Sequence, residues 1–203
     1  MVMLIVIEGI DGSGKTTQAK MLHDELVERG FDVVLLYEPT SSKYGSLIRE
    51  KLRNGKYTPS ELYRLFLKDR ELHAGKIRRY LAEGKIVILD RYYMSTIAYQ
   101  GAQGIPIDRI IRDHMQMPTP DIVVILDVDP EVALSRIKAK DSFERLDFLQ
   151  KVRSIYLKMR ELLVNVCHIF VVDANRPPEI VHKEILSIVL DRIRMVSGTD
   201  IKV

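Results

Sequence analysis

The 203-residue chain has one cysteine, Cys167, no tryptophan, and no apolar run near the ~20 residues a membrane-spanning helix requires. A lone cysteine closes no internal disulfide, so nothing asks for an oxidising compartment, and the chain reads as cytoplasmic with no membrane partner. Eleven Gly and eight Pro, scattered without period, exclude collagen-like and low-complexity chains. An excess of one charge is also missing: 31 basic and 28 acidic side chains alternate along the whole length. A nucleic-acid binder would gather its Lys and Arg on one stripe, so no nucleic-acid partner is expected. The five histidines, at 23, 73, 114, 168 and 182, show no metal-ligand spacing with one another or with Cys167 and read as structural or surface residues. The apolar start, Met1 to Ile7, lacks a basic flank and a small-residue cleavage site, so it reads as a strand and not a signal peptide.

What the chain does have is apolar content for one core, in a length that suits a single domain over residues 1–203. Val2–Ile7, Val33–Tyr37, Ile86–Leu89, Ile122–Leu126 and Ile169–Val172 are short and do not alternate, which suits strands buried on both faces. Helical stretches lie between them. The first starts near Lys15–Thr16, carries Ala19, Leu22 and Leu26 on one face, and stops at Gly30. Another follows the second strand and contains Arg49. Thr58-Pro59-Ser60-Glu61 places a capping Thr, a Pro at the first helical position and a Glu three residues after the cap. That helix runs to about Glu83, with Gly75 weakening its middle. Asp129-Pro130-Glu131 opens a further helix, 143–166 reads as one long helix, and Pro177-Pro178 opens a last one to about Arg194. A loose tail over about 195–203 is expected. The fold class is α/β: a doubly wound, five-stranded parallel sheet flanked by helices.

The segment Gly9-Ile10-Asp11-Gly12-Ser13-Gly14-Lys15-Thr16 matches G-x-x-x-x-G-K-[ST], between a strand and a helix as that motif requires. Its glycines let successive N–H groups turn inward around a phosphate, and the helix start adds unpaired amides and a positive dipole end. Lys15 brings charge to the β- and γ-phosphates and the Thr16 hydroxyl is placed to ligate Mg²⁺. Residues 9–17, Thr17 included, form the expected ATP contact in a P-loop NTPase type of fold. Triphosphate and Mg²⁺ follow from this; the reaction does not, because switches, motors and small-molecule kinases share the motif.

Asp90-Arg91-Tyr92 stands where the third strand ends, on the side where open parallel sheets bind ligands. It reads either as an active-site pair, with Asp90 beside Thr16 as a metal candidate, or as an ordinary surface pair. Phe66 and Arg70 lie four apart on one helix face. They read either as a ring that stacks a base and a guanidinium that bonds its edge, or as a core Phe beside a solvated Arg.

Together these segments resemble the thymidylate kinase family. Glu8 to Gln18 is similar to its phosphate loop, where adenylate kinases would show Pro at the place of Asp11. Asp90-Arg91-Tyr92 with Ser95, Ala98, Tyr99 and Gln100-Gly101 resembles its second signature, and Phe66 with Arg70 its F-x-x-x-R pair. Leu126-Asp127-Val128 with Pro130-Glu131, then Val152-Arg153 and Tyr156-Leu157, match its later segments. The resemblance implies transfer of the ATP γ-phosphate to dTMP, with ATP and dTMP as partners, Mg²⁺ as cofactor, and a homodimer. It implies that Phe66 stacks on thymine, Arg70 bonds its edge, and Thr96 contacts the pyrimidine. It also implies that Tyr99 crowds out a 2′-hydroxyl, with Gln100 beside it. Arg91 would bridge the acceptor phosphate and the transferring group, Asp11 would sit near the sugar and the metal waters, and Arg49 would contact the acceptor phosphate.

The chemistry agrees. A monophosphate has a second pKa near 6, so the nucleophile arrives ionised and the task is cation placement, with no general base required. A kinase acting on a sugar hydroxyl would want a carboxylate there; Asp11 or Asp90 could fill that role, so another nucleotide or nucleoside kinase stays open. A nucleotide-gated switch would need a guanine-reading N/T-K-x-D segment, which is missing. Ile10 to Ser13 carry no basic residue, so the catalytic cation should come from a short lid at about 136–146. There Ser142 stands where the family often has Arg, leaving Arg136 and Arg145, with Lys138 and Lys140, as candidates. Glu38-Pro39-Thr40 keeps only part of the family's phosphate-contacting segment.

Overall fold

The computed structural model describes residues 1–137, 143 and 145–197. In chain order the elements are β1 (Met3–Gly9), α1 (Lys15–Glu28), β2 (Val33–Tyr37), α2 (Lys43–Asn54), α3 (Pro59–Ala82), β3 (Ile86–Asp90), α4 (Tyr93–Ala102), α5 (Ile107–His114), β4 (Ile122–Asp127), α6 (Pro130–Arg136), α7 (Leu146–Leu157), α8 (Met159–Leu162), β5 (His168–Asp173) and α9 (Pro178–Ser197). The five strands form one parallel sheet in the order β2-β3-β1-β4-β5. Neighbours β1 and β3 send their outgoing connections toward opposite edges, which opens a crevice beyond their carboxyl ends. In register, Ile7 and Tyr37 flank Asp90, and Gly9 faces Leu126. Residues just past these positions therefore converge on one place.

β1 and β3 are buried throughout and β4 nearly so, as expected of strands covered on both faces. The edge strands depart from that expectation. β2 ends on the exposed Tyr37, and β5 exposes Phe170 and Val171, because an edge strand has sheet on one side only. Thr58 caps α3 as its sequence predicts, its Oγ1 accepting the Glu61 N–H at 3.2 Å. The helix expected over 143–166 is instead α7 and the short α8, parted at Lys158. Buried Leu149, Val152, Tyr156, Met159 and Leu163 keep helical spacing straight through the break, so periodicity could not reveal it. The last helix continues to Ser197, so the first residues of the expected tail are helical, while 198–203 lie outside the described residues.

Gly45, in the first turn of α2, lies against the segment leaving β2. A Cβ there would sit 2.0 Å from the Thr40 carbonyl oxygen, whereas a Cβ on Gly75 in α3 would meet nothing within 4 Å. Gly45→Ala should therefore cost about 1–3 kcal/mol through overpacking, lowering Tm by roughly 3–10 °C at this size. Gly75→Ala should raise Tm by roughly 2–4 °C, the helix-propensity gain of about 1 kcal/mol. Calorimetric scans of both variants check this, and shifts of the same sign would refute the close contact.

Candidate active site

The loop from β1 to α1 is held from within. The Ser13 N–H donates to the Ile10 carbonyl at 3.1 Å. Gly12 has φ +79°, and a Cβ there would lie 2.2 Å from the Ala133 carbonyl of α6, so this turn admits no side chain. No side chain caps α1, whose first amides are left for a ligand. Lys15 is buried, its Nζ donating to the Ile10 carbonyl at 2.7 Å and reaching Ser13 Oγ at 3.4 Å. Burial, and then the neighbouring Arg91 cation, push its ammonium pKa down to about 8.

Across the loop, Thr16 Oγ1 donates to Asp90 Oδ2 at 2.5 Å. These are hard oxygen donors on the sheet-facing side of the phosphate cavity. Among the described residues no group of three His, Cys, Asp or Glu could cage an ion by itself. One hydroxyl and one carboxylate fit Mg²⁺ nonetheless, since that ion keeps its waters and takes its remaining ligands from substrate phosphates.

Arg91 leaves β3 with φ +73°, left-handed geometry that an Arg adopts only when its surroundings compel it. Its N–H donates to the Ile7 carbonyl at 3.1 Å. Its guanidinium donates to Ser95 Oγ at 3.2 Å and to the Gly9 carbonyl at 3.4 Å, and forms an ion pair with Asp11. Asp11 also accepts the Tyr99 hydroxyl at 2.8 Å, and the Tyr99 oxygen accepts the Asp11 N–H at 2.9 Å. Burial works against the Asp11 charge, but the Arg91 and Lys15 cations hold its carboxyl below the usual carboxylate range.

Among the described residues, three cavities adjoin the loop. The first, of about 200 Å³, is lined by Asp11, Pro39, Arg49, Leu52, Phe66, Arg91, Ser95, Thr96, Tyr99, Gln100 and Phe143. The second lies along the loop, between Gly12, Gly14, Lys15, Thr16 and Thr17 on one side and Glu38, Asp90 and Arg91 on the other. The third is bounded by Ser13, Gly14, Thr17, Gln18, Arg136, Ala174, Arg176, Pro178 and Val181. The first and second share Asp11 and Arg91; the second and third share Gly14 and Thr17.

The sequence-predicted residues divide accordingly. Residues 9–17, Asp90 and Arg91 come together around the loop. Phe66 is half-buried, packed against the core on one side and lining the first cavity on the other, and Thr96, Tyr99 and Gln100 line the same cavity. Arg49 lines the same cavity while donating to the Pro39 and Thr40 carbonyls at 3.0 and 2.9 Å. Arg70 is not a solvated side chain: it is 1% exposed, behind the wall, and reaches the cavity through Thr96, to whose Oγ1 it donates at 3.0 Å. Arg136 lies over the loop, its Nη1 3.5 Å from the Gly12 carbonyl and 3.3 Å from that of Ala174. Arg145 is different. Its side chain is 74% exposed and pairs with Asp147 at 3.3 Å, so it is not brought to the site. Lys138, Lys140 and Ser142 lie outside the described residues, as does most of the expected lid.

Sequence reasoning assigned no role to Glu8, Arg176 or Phe143. Glu8, wholly buried in β1, accepts the Tyr92 N–H at 2.7 Å, the Ser95 N–H at 3.1 Å, the Ser95 hydroxyl at 2.7 Å and the Tyr156 hydroxyl at 2.8 Å. Burial pushes its carboxyl up despite those bonds, and it clamps α4 and α7 to the floor of the site. A carboxylate inside an apolar strand was the legible signal. Phe143 packs on Tyr99 and Phe148, with ring centroids 5.2 and 5.4 Å apart, and lines the first cavity.

Comparison with known proteins agrees with this arrangement. The family model described as thymidylate kinase matches residues 7–185, from β1 into α9. The chain is 42% identical over 193 residues to a protein of Archaeoglobus fulgidus named "Probable thymidylate kinase", covering 92% of this chain and 94% of that one. It is 36% identical over 201 residues to the thymidylate kinase of Xylella fastidiosa strain M12, covering 97% and 90%. Among solved structures it is similar to thymidylate kinase from Candida albicans, with a TM-score of 0.82, 28% identity, and 94% and 92% of the two chains covered. With a match that spans the loop, the cavity walls and the sheet that carries them, the chain belongs to the thymidylate kinase family.

Proposed function

We propose that the protein transfers the γ-phosphate of ATP to dTMP, giving ADP and dTDP, as a single P-loop kinase domain over residues 1–203 with a short lid at about 136–146. The observation that carries this reading is the junction of two ligand cavities at Asp11 and Arg91, beside an uncapped helix start and a buried Lys. In this reading the triphosphate lies along residues 9–17, with its base side toward Arg136 and Arg176. The monophosphate lies between Phe66 and Tyr99. Thr16 and Asp90 hold Mg²⁺, which when bound neutralises charge on the phosphates.

Lys15 and Arg91 draw the two polyanions together, and Arg136 is the lid cation nearest the loop. Asp11 is tied to Arg91 and Tyr99, and its lowered pKa makes it a poor base. Asp90 is engaged by Thr16. Neither carboxylate is poised to deprotonate a sugar hydroxyl, which favours an already ionised phosphate as nucleophile over the nucleoside-kinase alternative. Tyr99 stands against the sugar, so that a deoxyribose is preferred. The family reading extends to a cytoplasmic homodimer; among the described residues no helix is long and apolar enough to cross a membrane.

The test is incubation with ATP, Mg²⁺ and a panel of monophosphates and nucleosides. Formation of dTDP from dTMP is expected. Phosphorylation of thymidine without dTDP would establish the nucleoside kinase, and nucleotide-dependent partner binding without turnover would establish a switch. Phe66→Ala should raise KM for dTMP by roughly 5- to 100-fold, the worth of one base–aromatic stack, and leave KM for ATP unchanged. Equal effects on both nucleotides would return Phe66 to a packing role.

The Lys15 charge also sets a pH dependence. Its pKa is lowered, so the phosphate-binding ammonium is present below about pH 8 and lost as pH rises through that value. In the free enzyme, kcat/KM for ATP should fall above about pH 8. A profile flat to about pH 10, the range of an ordinary lysine, would refute the shift.

A further inference from the structure

Arg70 of α3 is a buried cation whose surroundings are unusually specific. Its Nε donates to Glu38 Oε2 at 2.7 Å, and Nη2 donates to the Tyr92 carbonyl at 3.2 Å. The two hydrogens of Nη1 go to Thr96 Oγ1 at 3.0 Å and to His114 Nε2 at 2.9 Å. Four of its five N–H groups are thus committed.

The last of these bonds determines the state of His114, which is 3% exposed at the end of α5. Its Nδ1 lies 2.6 Å from the Ile110 carbonyl, an acceptor only, so Nδ1 carries the hydrogen. Its Nε2 faces a guanidinium, a donor only, so Nε2 offers its lone pair. The ring is therefore neutral, in one tautomer, and Tyr93 stacks on it with centroids 5.5 Å apart. Of the groups facing it, Arg70 from α3 opposes a charged ring, Asp113 and the Ile110 carbonyl on its own helix favour one, and Tyr93 from α4 stacks on it; burial and Arg70 prevail. Burial first, and then the Arg70 cation, hold its pKa down to about 3.

Thr96 is where this cluster meets the first cavity, which Phe66 also lines. Its oxygen accepts from Arg70, so its own O–H is left to donate. We propose that His114 is a positioning residue for the acceptor base: its Nε2 lone pair fixes the Arg70 guanidinium, which makes Thr96 a hydrogen-bond donor on the cavity wall. This rests on the reading of that cavity as the dTMP site. Without an acceptor at position 114, a buried N–H of Arg70 loses its partner and the guanidinium turns to find another, releasing Thr96 to adopt either polarity. The triphosphate cavity along residues 9–17 meets this cluster at Glu38, which accepts Arg70 Nε, while Thr96 and His114 do not line it.

His114→Leu removes the acceptor, and His114→Gln returns one. Relative to wild type, His114→Leu should raise KM for dTMP about tenfold while KM for ATP stays within about twofold, and His114→Gln should recover most of the loss. A folded His114→Leu variant with unchanged KM for dTMP, or with equal rises for both nucleotides, overturns the proposal. So does a His114→Gln variant no better than Leu. Nitrogen-15 NMR of the wild-type enzyme keeps the test independent of how the variants fold. The His114 ring should remain the neutral Nδ1–H tautomer from about pH 5 to 8, and its Nε2 resonance should move with dTMP but not with ATP. Titration in that range, or no response to dTMP, overturns the proposal. Failure of the wild-type enzyme to phosphorylate dTMP overturns the cavity reading, and this inference with it. Normal dTMP turnover with an indifferent position 114 overturns this inference alone.

Discussion

The ion pair between Arg91 and Asp11 is the constraint on which the arrangement depends. One partner follows β3 directly, the other lies in the loop after β1, and the two strands are neighbours in the sheet. Their bond sets where the loop stands relative to the first cavity. It also explains the left-handed backbone at Arg91: a residue continuing in the strand direction would carry its guanidinium away from Gly9 and Ser95. Strain of this kind persists only where the surroundings over-determine it. Here they do, through the Arg91 N–H to Ile7, the Ser95 hydroxyl and the Tyr99–Asp11 bonds.

Beneath that pair the floor of the site is built from buried polar groups, each satisfied. Glu8 receives four hydrogen bonds from α4 and α7, and Arg70 is held by Glu38, Thr96, Tyr92 and His114. Removing charges from water is expensive unless each is paired. What the pairing secures is geometry: helices α3, α4, α5 and α7 are bonded to one another at the carboxyl end of the sheet by directional contacts that apolar packing would not supply. The Ser42 hydroxyl, donating to Asp69 Oδ1 at 2.6 Å, extends the same device to the start of α2.

The division of labour in phosphoryl transfer follows from this placement. Lys15 is desolvated and its ammonium is weakened by Arg91, so it gains most when a phosphate arrives to restore a favourable field. Arg91 stands at the junction and keeps its charge because Asp11 is beside it. Two cations close enough to oppose each other are what a site needs when its substrates are two polyanions that must touch.

Much of this was legible in the residues. Five short apolar runs specify the parallel sheet because strands covered on both faces have no polar side to show. Thr58-Pro59 and the glycine-lysine loop specify a helix start and a phosphate cradle because caps and turns are local chemistry, carried by adjacent residues. Other features were not local. α4 has no visible period because every residue of Tyr93–Gln100 is buried, leaving no polar face there. The break at Lys158 interrupts no apolar spacing. The unlike fates of Arg136 and Arg145 depend on where α6 and α7 pack, which their sequence neighbours do not encode. The sequence by itself determined the sheet and the loop that grips a triphosphate. Tertiary structure alone decided that Arg70 is a buried, shared donor and His114 its partner, because hydrogen bonds between residues 44 positions apart exist only once separate helices are packed side by side.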